Sequence, residues 1–325
     1  MLTRNFFLIL FILQCNDLIQ ANGPFPIQFS IPESKIVSVI PKKQRDFAFL
    51  IPAQTHTYIY DDELSYQKGY QESFFAITTQ KAGWDCMRHY EILANGCIPY
   101  FINLENCHPR TMAFLPRKLI LEAMNLPGVP KIKVYDPRNI NPASLKIDHG
   151  IFDIKRYYEI LNELLRYTRT YLTTRSIAQY VLKTVNYAGG TVLFLSGYLG
   201  ADYQRECSLI GLKQVLGEKL IDVPRIDCLY TDYPGDVRNL WGKGFSYAKI
   251  IDDVPVNREN IDQRIRNKEF ELIIYGSVHR GLPFHDVVQE HYEPNSIIYI
   301  CGEDGHKCSY SHWNNLFLRE FDSLI

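Results

Sequence analysis

The stretch Trp84-Asp-Cys-Met-Arg-His-Tyr-Glu-Ile-Leu-Ala-Asn-Gly-Cys-Ile-Pro-Tyr-Phe101 reads as one helix, a glycine stop and one buried strand. Asp85 suits the helix start, because its side chain can accept from the first free amides. Gly96 suits the left-handed residue that ends a helix. Ile98 to Ile102 is a short apolar run with Pro99 near its opening, a position a strand tolerates. At 100° per residue, Trp84, Arg88, Glu91 and Asn95 fall within about 60° of one another, and Cys86, Tyr90 and Leu93 lie opposite. One face is expected to pack and the other to offer an indole, a cation, a carboxylate and an amide. A solvated helix with an ordinary Arg88–Glu91 pair, worth roughly 0.3 kcal/mol, would show the same pattern.

The surrounding chain bounds what this segment can belong to. With 325 residues, 46% apolar and 13% aromatic, it can bury one large or two medium cores. The formal net charge is −1 and no basic stripe occurs, which argues against nucleic acid as a partner. Met1 to Arg4 supplies a positive start, Phe6 to Leu13 an apolar run and Ala21 a cleavage point, the pattern of a signal peptide over 1–21 and of export into the secretory pathway. The run is too short to span a bilayer, though an uncleaved anchor lying at a membrane surface fits it as well. Seven of the eight cysteines follow that segment, scattered rather than dense. Cys86 and Cys97 read as buried small hydrophobes, and a Cys301–Cys308 bridge is allowed but not assigned by spacing.

Before the central segment, Asn22 to Lys43 reads as an irregular lead-in, Asp46 to Pro52 as a strand, Asp61 to Glu72 as loop and short helix, and Ser73 to Thr78 as a strand. After it come a helix over Arg110–Asn125, a strand over Lys131–Tyr135 and a loop over Asp136–Ser144. A long amphipathic helix starts at Asp153, and a second, capped by Ser176, runs to Val185. Gly189-Gly190 marks the boundary between a first domain, 22–189, and a second, 190–325. The second alternates strands (191–196, 227–230, 248–251, 271–275, 296–301) with helices (207–216, 257–270, 283–292). Such alternation predicts α/β architecture with mostly parallel sheets, two Rossmann-like domains.

Open parallel sheets bind ligands beyond the carboxyl ends of their strands. Those ends are Ser196-Gly197, Asp232, Asp252-Asp253, Ser277 to Arg280 and Gly302 to His306. A sugar hydroxyl attacking an anomeric carbon needs a base, so His279, Glu303 and Asp304 are the catalytic candidates. Each also suits an ordinary loop or cap. Gly197-Tyr-Leu-Gly200 could bring amides near a phosphate, without being the dinucleotide fingerprint. Cys301, His306, Cys308 and His312 carry zinc-ligand chemistry but lack Cys-x-x-Cys spacing, so no metal site is assigned.

Arg88-x-x-Glu91 followed by Gly96-Cys-Ile-Pro99 resembles the signature of exostosin-like glycosyltransferases, which have the GT-B architecture. Tyr70-Gln-Glu-Ser-Phe-Phe-Ala-Ile77 is similar to that family's lead-in, so the resemblance runs from about Tyr66 to Leu126, less than a fifth of the chain. It implies a nucleotide-sugar-binding half in which Arg88 faces a phosphate and Glu91 meets the ribose, chemistry that a forked guanidinium and a carboxylate suit. Trp84, Asp85, Asn95 and Gly96 would complete that donor site. It further implies a nucleotide-sugar co-substrate, a glycan or glycoconjugate acceptor and no resident cofactor. One departure stands out: the glutamate that precedes this one by eight positions in many retaining GT-B enzymes is Gly83 here. Because the signature sits early in the chain, either the two GT-B halves occur in swapped order or a partial glycosyltransferase domain is joined to an unrelated α/β domain. A non-catalytic glycan- or nucleotide-binding protein on a GT-B-like scaffold and an α/β hydrolase-type enzyme are the alternatives.

Overall fold

A computed structural model describes residues 24–134, 136–304 and 313–321. Among these residues nine strands form two sheets, and every pairing within them is parallel. The strands are β1 (Phe25–Pro26), β2 (Arg45–Phe47), β3 (Ser73–Thr78), β4 (Ile98–Phe101), β5 (Val192–Leu195), β6 (Leu220–Val223), β7 (Leu272–Tyr275), β8 (Ile297–Cys301) and β9 (Asn315–Leu318). The smaller sheet has the order β2-β3-β4, and the larger β1-β9-β8-β7-β5-β6. β3, β4, β5, β7 and β8 are buried along their whole length, as parallel strands covered on both faces must be. The fold is therefore α/β with two parallel sheets, compatible with Rossmann-like units.

The covering helices are α1 (Glu63–Gln71), α2 (Met87–Ala94), α3 (Arg117–Met124), α4 (Ile154–Tyr171), α5 (Thr174–Thr184), α6 (Tyr203–Leu216), α7 (Ile261–Arg266) and α8 (His285–His291). Short polar side chains start four of them: Asp62, Asp153, Thr173 and Asp202 each accept from an amide in the first turn. α5 and α6 cross so closely that a Cβ at Gly211 would lie 2.0 Å from the Thr174 carbonyl oxygen, which is why glycine stands there. No helix of the described residues is long and apolar enough to cross a membrane.

Chain ends join the two halves. β1 pairs with β9 at the edge of the larger sheet, and Ile31 bridges Thr173 before the chain enters the smaller sheet. The segment read as an irregular lead-in thus opens with a strand of only two residues, too short to leave a period in the sequence. Arg319, with 1% of its surface exposed, donates to the carbonyl oxygens of Asp85 and Gly302.

Several local expectations change. Asp85 does not cap α2; Cys86 holds that position without a side-chain bond, and Asp85 turns inward to accept from Phe29 N. The helix expected from Arg110 begins at Arg117, because Pro116 disfavours helical geometry in the residue before it. Residues 131–134 form no strand, since Tyr100 Oη accepts the Ile132 amide; Tyr135 lies outside the described residues. Thr173 rather than Ser176 caps α5. Residues 227–229 are a 3-10 turn, and the two runs expected as strands meet in a single Tyr230–Ile251 bridge. The strand beside β5 is instead β6, whose Asp222 interrupts the apolar pattern; that carboxylate is fully buried and meets Lys213, Arg258 and Tyr230. The signal-peptide segment also lies outside the described residues.

Candidate functional site

α2 is buried on all sides, so the solvated-helix reading does not hold. Arg88 and Glu91 do not form an ion pair with each other. Both instead line a cavity of about 360 Å³ between the two halves of the chain. The first half contributes Leu50, Tyr58, Tyr60, Tyr66, Lys81, Cys86 and Met87, and the second supplies Tyr203 together with Trp241, Gly242, Lys243 and Phe245. Three cations, one carboxylate and a wall of aromatic rings thus share one space.

Arg88 is 8% exposed and donates to Tyr58 Oη over 3.3 Å, with its guanidinium 5.8 Å from that ring. It makes no ion pair among the described residues, and its buried Nε has no hydrogen-bond partner. A buried arginine normally meets a carboxylate, because desolvating the charge costs several kcal/mol (of order) unless it is paired. This one faces a cavity instead. Tyr58 also accepts from Ala53 N and has Lys81 6.0 Å from its ring; burial raises its pKa, but the Arg88 and Lys81 charges together carry it below the usual phenol value.

Glu91 carries two hydrogen bonds: Tyr66 Oη donates to Oε2 over 2.5 Å and Ser246 Oγ donates to Oε1 over 2.8 Å. Burial pushes its carboxyl pKa upward, against the lowering effect of those donors and of Arg88. Tyr66 is in turn held by Tyr70 Oη at 3.1 Å and packs edge-on to its ring. His89, in the first turn of the same helix, is buried and held neutral, its pKa lowered to about 3 by desolvation. Its ring joins Trp84 O at 2.8 Å and Thr78 Oγ1 at 2.9 Å, which fixes the turn leading into α2.

The remaining expected donor residues are not gathered at the cavity. Trp84 packs in the main apolar core. Asp85 accepts from Phe29 N at 2.6 Å and Tyr90 Oη at 2.8 Å, a joint between the sheets rather than a ligand group. Asn95 closes α2, donating to Glu91 O and accepting from Gln71, and Gly96 takes the left-handed turn at φ +63°. Of the four residues expected on one helical face, only Arg88 and Glu91 lie within α2; Trp84 precedes the helix and Asn95 is its C-cap. That face is interior, and only its middle opens into the cavity.

His279 sits in the turn after β7, with Nε2 3.1 Å from Asp202 Oδ2. Asp202 is the cap of α6 and also accepts from Ser277 Oγ and Arg205 N. Burial raises its pKa, but these hydrogen bonds and the His279 ring together hold it well below the usual carboxylate range. The strand order reverses between β5 and β7, so this cluster occupies the switch point where open sheets bind ligands. Ser277 Oγ donates to Asp202 and also lies 3.3 Å from His279 Nδ1 and 3.4 Å from Nε2, so one hydroxyl is shared between the carboxylate and the imidazole. Glu303 and Asp304 follow β8, and Asp304 pairs with Arg319. None of His279, Glu303 and Asp304 lines the cavity.

Gly83 lies against carboxylates: an added Cβ would be 2.5 Å from Glu320 Oε1 and 2.7 Å from Asp304 Oδ1. Asp232 and Asp253 gather with Asp227 around Arg225, just beyond the end of β6 and away from the cavity lining. The Tyr198 amide that a phosphate cradle would use donates to Arg280 O. Cys86 lines the cavity while Cys97 is buried, and both are unbridged. His306, Cys308 and His312 fall outside the described residues. Among the described ones no three His, Cys, Asp or Glu side chains gather as a metal site. Sequence reading missed Tyr58, Lys81, Lys243 and Ser246, which come from loops and turns without periodic signal, and Tyr203, the first residue of α6; the tyrosine richness of 61–72 was the one hint. Comparison of the chain with protein-family models, with curated proteins and with solved structures finds no match.

Proposed function

We propose that the cavity beside α2 binds a phosphate-bearing nucleotide sugar, and that the protein is a glycosyltransferase of GT-B type that passes the sugar to a glycan or glycoconjugate acceptor. The observation that carries the reading is Arg88, a desolvated guanidinium with no carboxylate partner among the described residues, facing an aromatic cavity. A phosphate would supply the missing anion and accept the fork of donors. Lys81 and Lys243 add positive potential at the same cavity, and the tyrosine and tryptophan rings offer stacking faces for a base or a sugar. Among the described residues Glu91 is the one carboxylate lining the cavity, which suits an acceptor of ligand hydroxyls. Donor binding is assigned to Arg88 and Glu91, and the acceptor side to His279 oriented by Asp202.

A second reading, a non-catalytic binding protein on the same scaffold, is favoured by one observation. His279, Glu303 and Asp304 lie away from the cavity. Calorimetry with nucleoside diphosphates and their sugars tests the binding half of the proposal. Wild-type protein is expected to bind, and Arg88→Ala to lose that binding. Equal affinity in the two proteins would overturn it. Sugar transfer to a glycan panel then separates the enzyme from the binding protein.

A further inference from the structure

Residues Trp241 to Lys249 form a strap along one wall of the cavity. Gly242, Lys243, Gly244, Ser246 and Lys249 all have φ between 55° and 71°, so three side-chain-bearing residues sit in the left-handed region. Such a backbone persists only where surrounding contacts hold it. Those contacts reach across to the other half of the chain. Lys243 Nζ donates to Tyr60 O over 2.8 Å and pairs with Asp61 over 2.7 Å. Ser246 N donates to Glu63 Oε1 over 2.8 Å, Ser246 Oγ donates to Glu91 Oε1 over 2.8 Å, and the Phe245 ring rests 5.2 Å from that of Tyr66.

The two hydroxyls on Glu91 are not equivalent. Tyr66 belongs to α1, is buried and is braced by Tyr70. Ser246 is delivered by a strained loop from the other half of the chain. A buried carboxylate keeps its hydrogen bonds, because an orphaned oxygen there is costly. Anything that moves the strap must therefore leave Oε1 another hydrogen-bond donor, and a ligand hydroxyl is the like-for-like replacement for that of Ser246.

We propose that Ser246 is a specificity-determining residue of the cavity: its hydroxyl holds the place on Glu91 of one hydroxyl of a vicinal-diol ligand, and only a ligand bearing that diol displaces it and releases the strap. A ribose offers two adjacent O–H donors, one for Oε1 and one for the second lone pair of Oε2, while Tyr66 stays in place. The ligand class rests on the nucleotide reading above; the exchangeable Ser246–Glu91 contact does not.

The test compares full-length wild type with Ser246→Ala by calorimetry, using uridine and guanosine diphosphates, their 2′,3′-dideoxy analogues and inorganic pyrophosphate. Removing the internal competitor is expected to tighten ribonucleotide binding by several-fold, up to about tenfold, the net worth of one hydrogen bond. Dideoxynucleotide and pyrophosphate affinities are expected to stay unchanged. Weaker or unchanged ribonucleotide binding, or an equal gain for the dideoxy compounds, overturns the proposal. Hydrogen exchange at the amides of 243–249 reads the strap separately: it should quicken in Ser246→Ala and on ribonucleotide binding, and unaltered exchange in both overturns the release. If wild type binds none of these compounds, the nucleotide reading and the diol assignment fall together. Faster exchange in the ligand-free variant would then still support the Ser246 contact as the strap's fastening.

Discussion

Arg319 Nη1 donates to the main-chain oxygen of Asp85 over 2.8 Å, joining β9 of the larger sheet to the turn that opens α2 beside the cavity. The same guanidinium meets Glu320 at 2.9 Å and Asp304, and its plane lies 4.5 Å from the Phe29 ring. Arg319→Met should therefore destabilise the protein by about 3–5 kcal/mol, because Asp85 and Glu320 are left buried without their cation. Chemical denaturation measures this, and a loss under about 1 kcal/mol would show that the carboxylates find other partners.

Two buried carboxyls contribute to the pH dependence near neutrality. Burial raises Glu206 and Glu320 to about 7 in the folded chain, above the ordinary 4.5 of an unfolded glutamate. With the folded value above the unfolded one, the stabilisation is complete below about pH 4.5 and lost as pH rises through 7. These groups should lower the unfolding free energy by up to about 3 kcal/mol each between pH 5 and 8. Glu206→Gln should flatten the curve of melting temperature against pH over that window, and a profile of unchanged slope would contradict the assignment.

Arg88→Met should part stability from binding. In the ligand-free protein the guanidinium is desolvated and lacks an ion pair, so an apolar isostere is expected to be neutral or stabilising by about 1 kcal/mol. Anion binding should be lost in the same variant. A melting temperature that falls by several degrees would instead mean that Arg88 is a structural support.

Gly83 separates size from charge. The atoms nearest an added Cβ are the ends of Glu320 and Asp304, held by Arg319. Gly83→Ala should cost roughly 1 kcal/mol of repacking, and Gly83→Glu about 3 kcal/mol, since a third carboxylate joins the cluster. Denaturant midpoints at pH 5 and 8 check this. The gap between the variants should narrow at the lower pH, where the added acid and Glu320 take up protons.

The elements most legible in the sequence were the strands buried on both faces and the helices with polar caps. Ser73–Thr78 was read at its observed limits, and the helix from Asp153 at its observed start. What escaped were elements whose pattern is broken or too short. β6 contains Asp222, whose partners Lys213 and Arg258 lie 9 and 36 residues away. β1 has only two residues and gains its pairing from β9 near the other end of the chain. At the site, spacing identified Arg88 and Glu91 as neighbours on one face but could not say that this face is interior. It also overextended the set to Trp84, Asp85 and Asn95, whose hydrogen bonds and packing turn them into the core.

By itself the amino-acid order determined the α/β class, the parallel sheets and the presence of a cation and a carboxylate one turn apart on one helix, because these follow from local periodicity and short-range caps. Only the tertiary structure decided which of those side chains face a cavity. It also decided what stands opposite them: Ser246, 155 residues from Glu91, and Asp202, 77 before His279, are brought near by chain closure, which leaves no local trace. A side chain's charge is written in its own codon, but whether that charge is paired depends on residues that only folding brings within 4 Å.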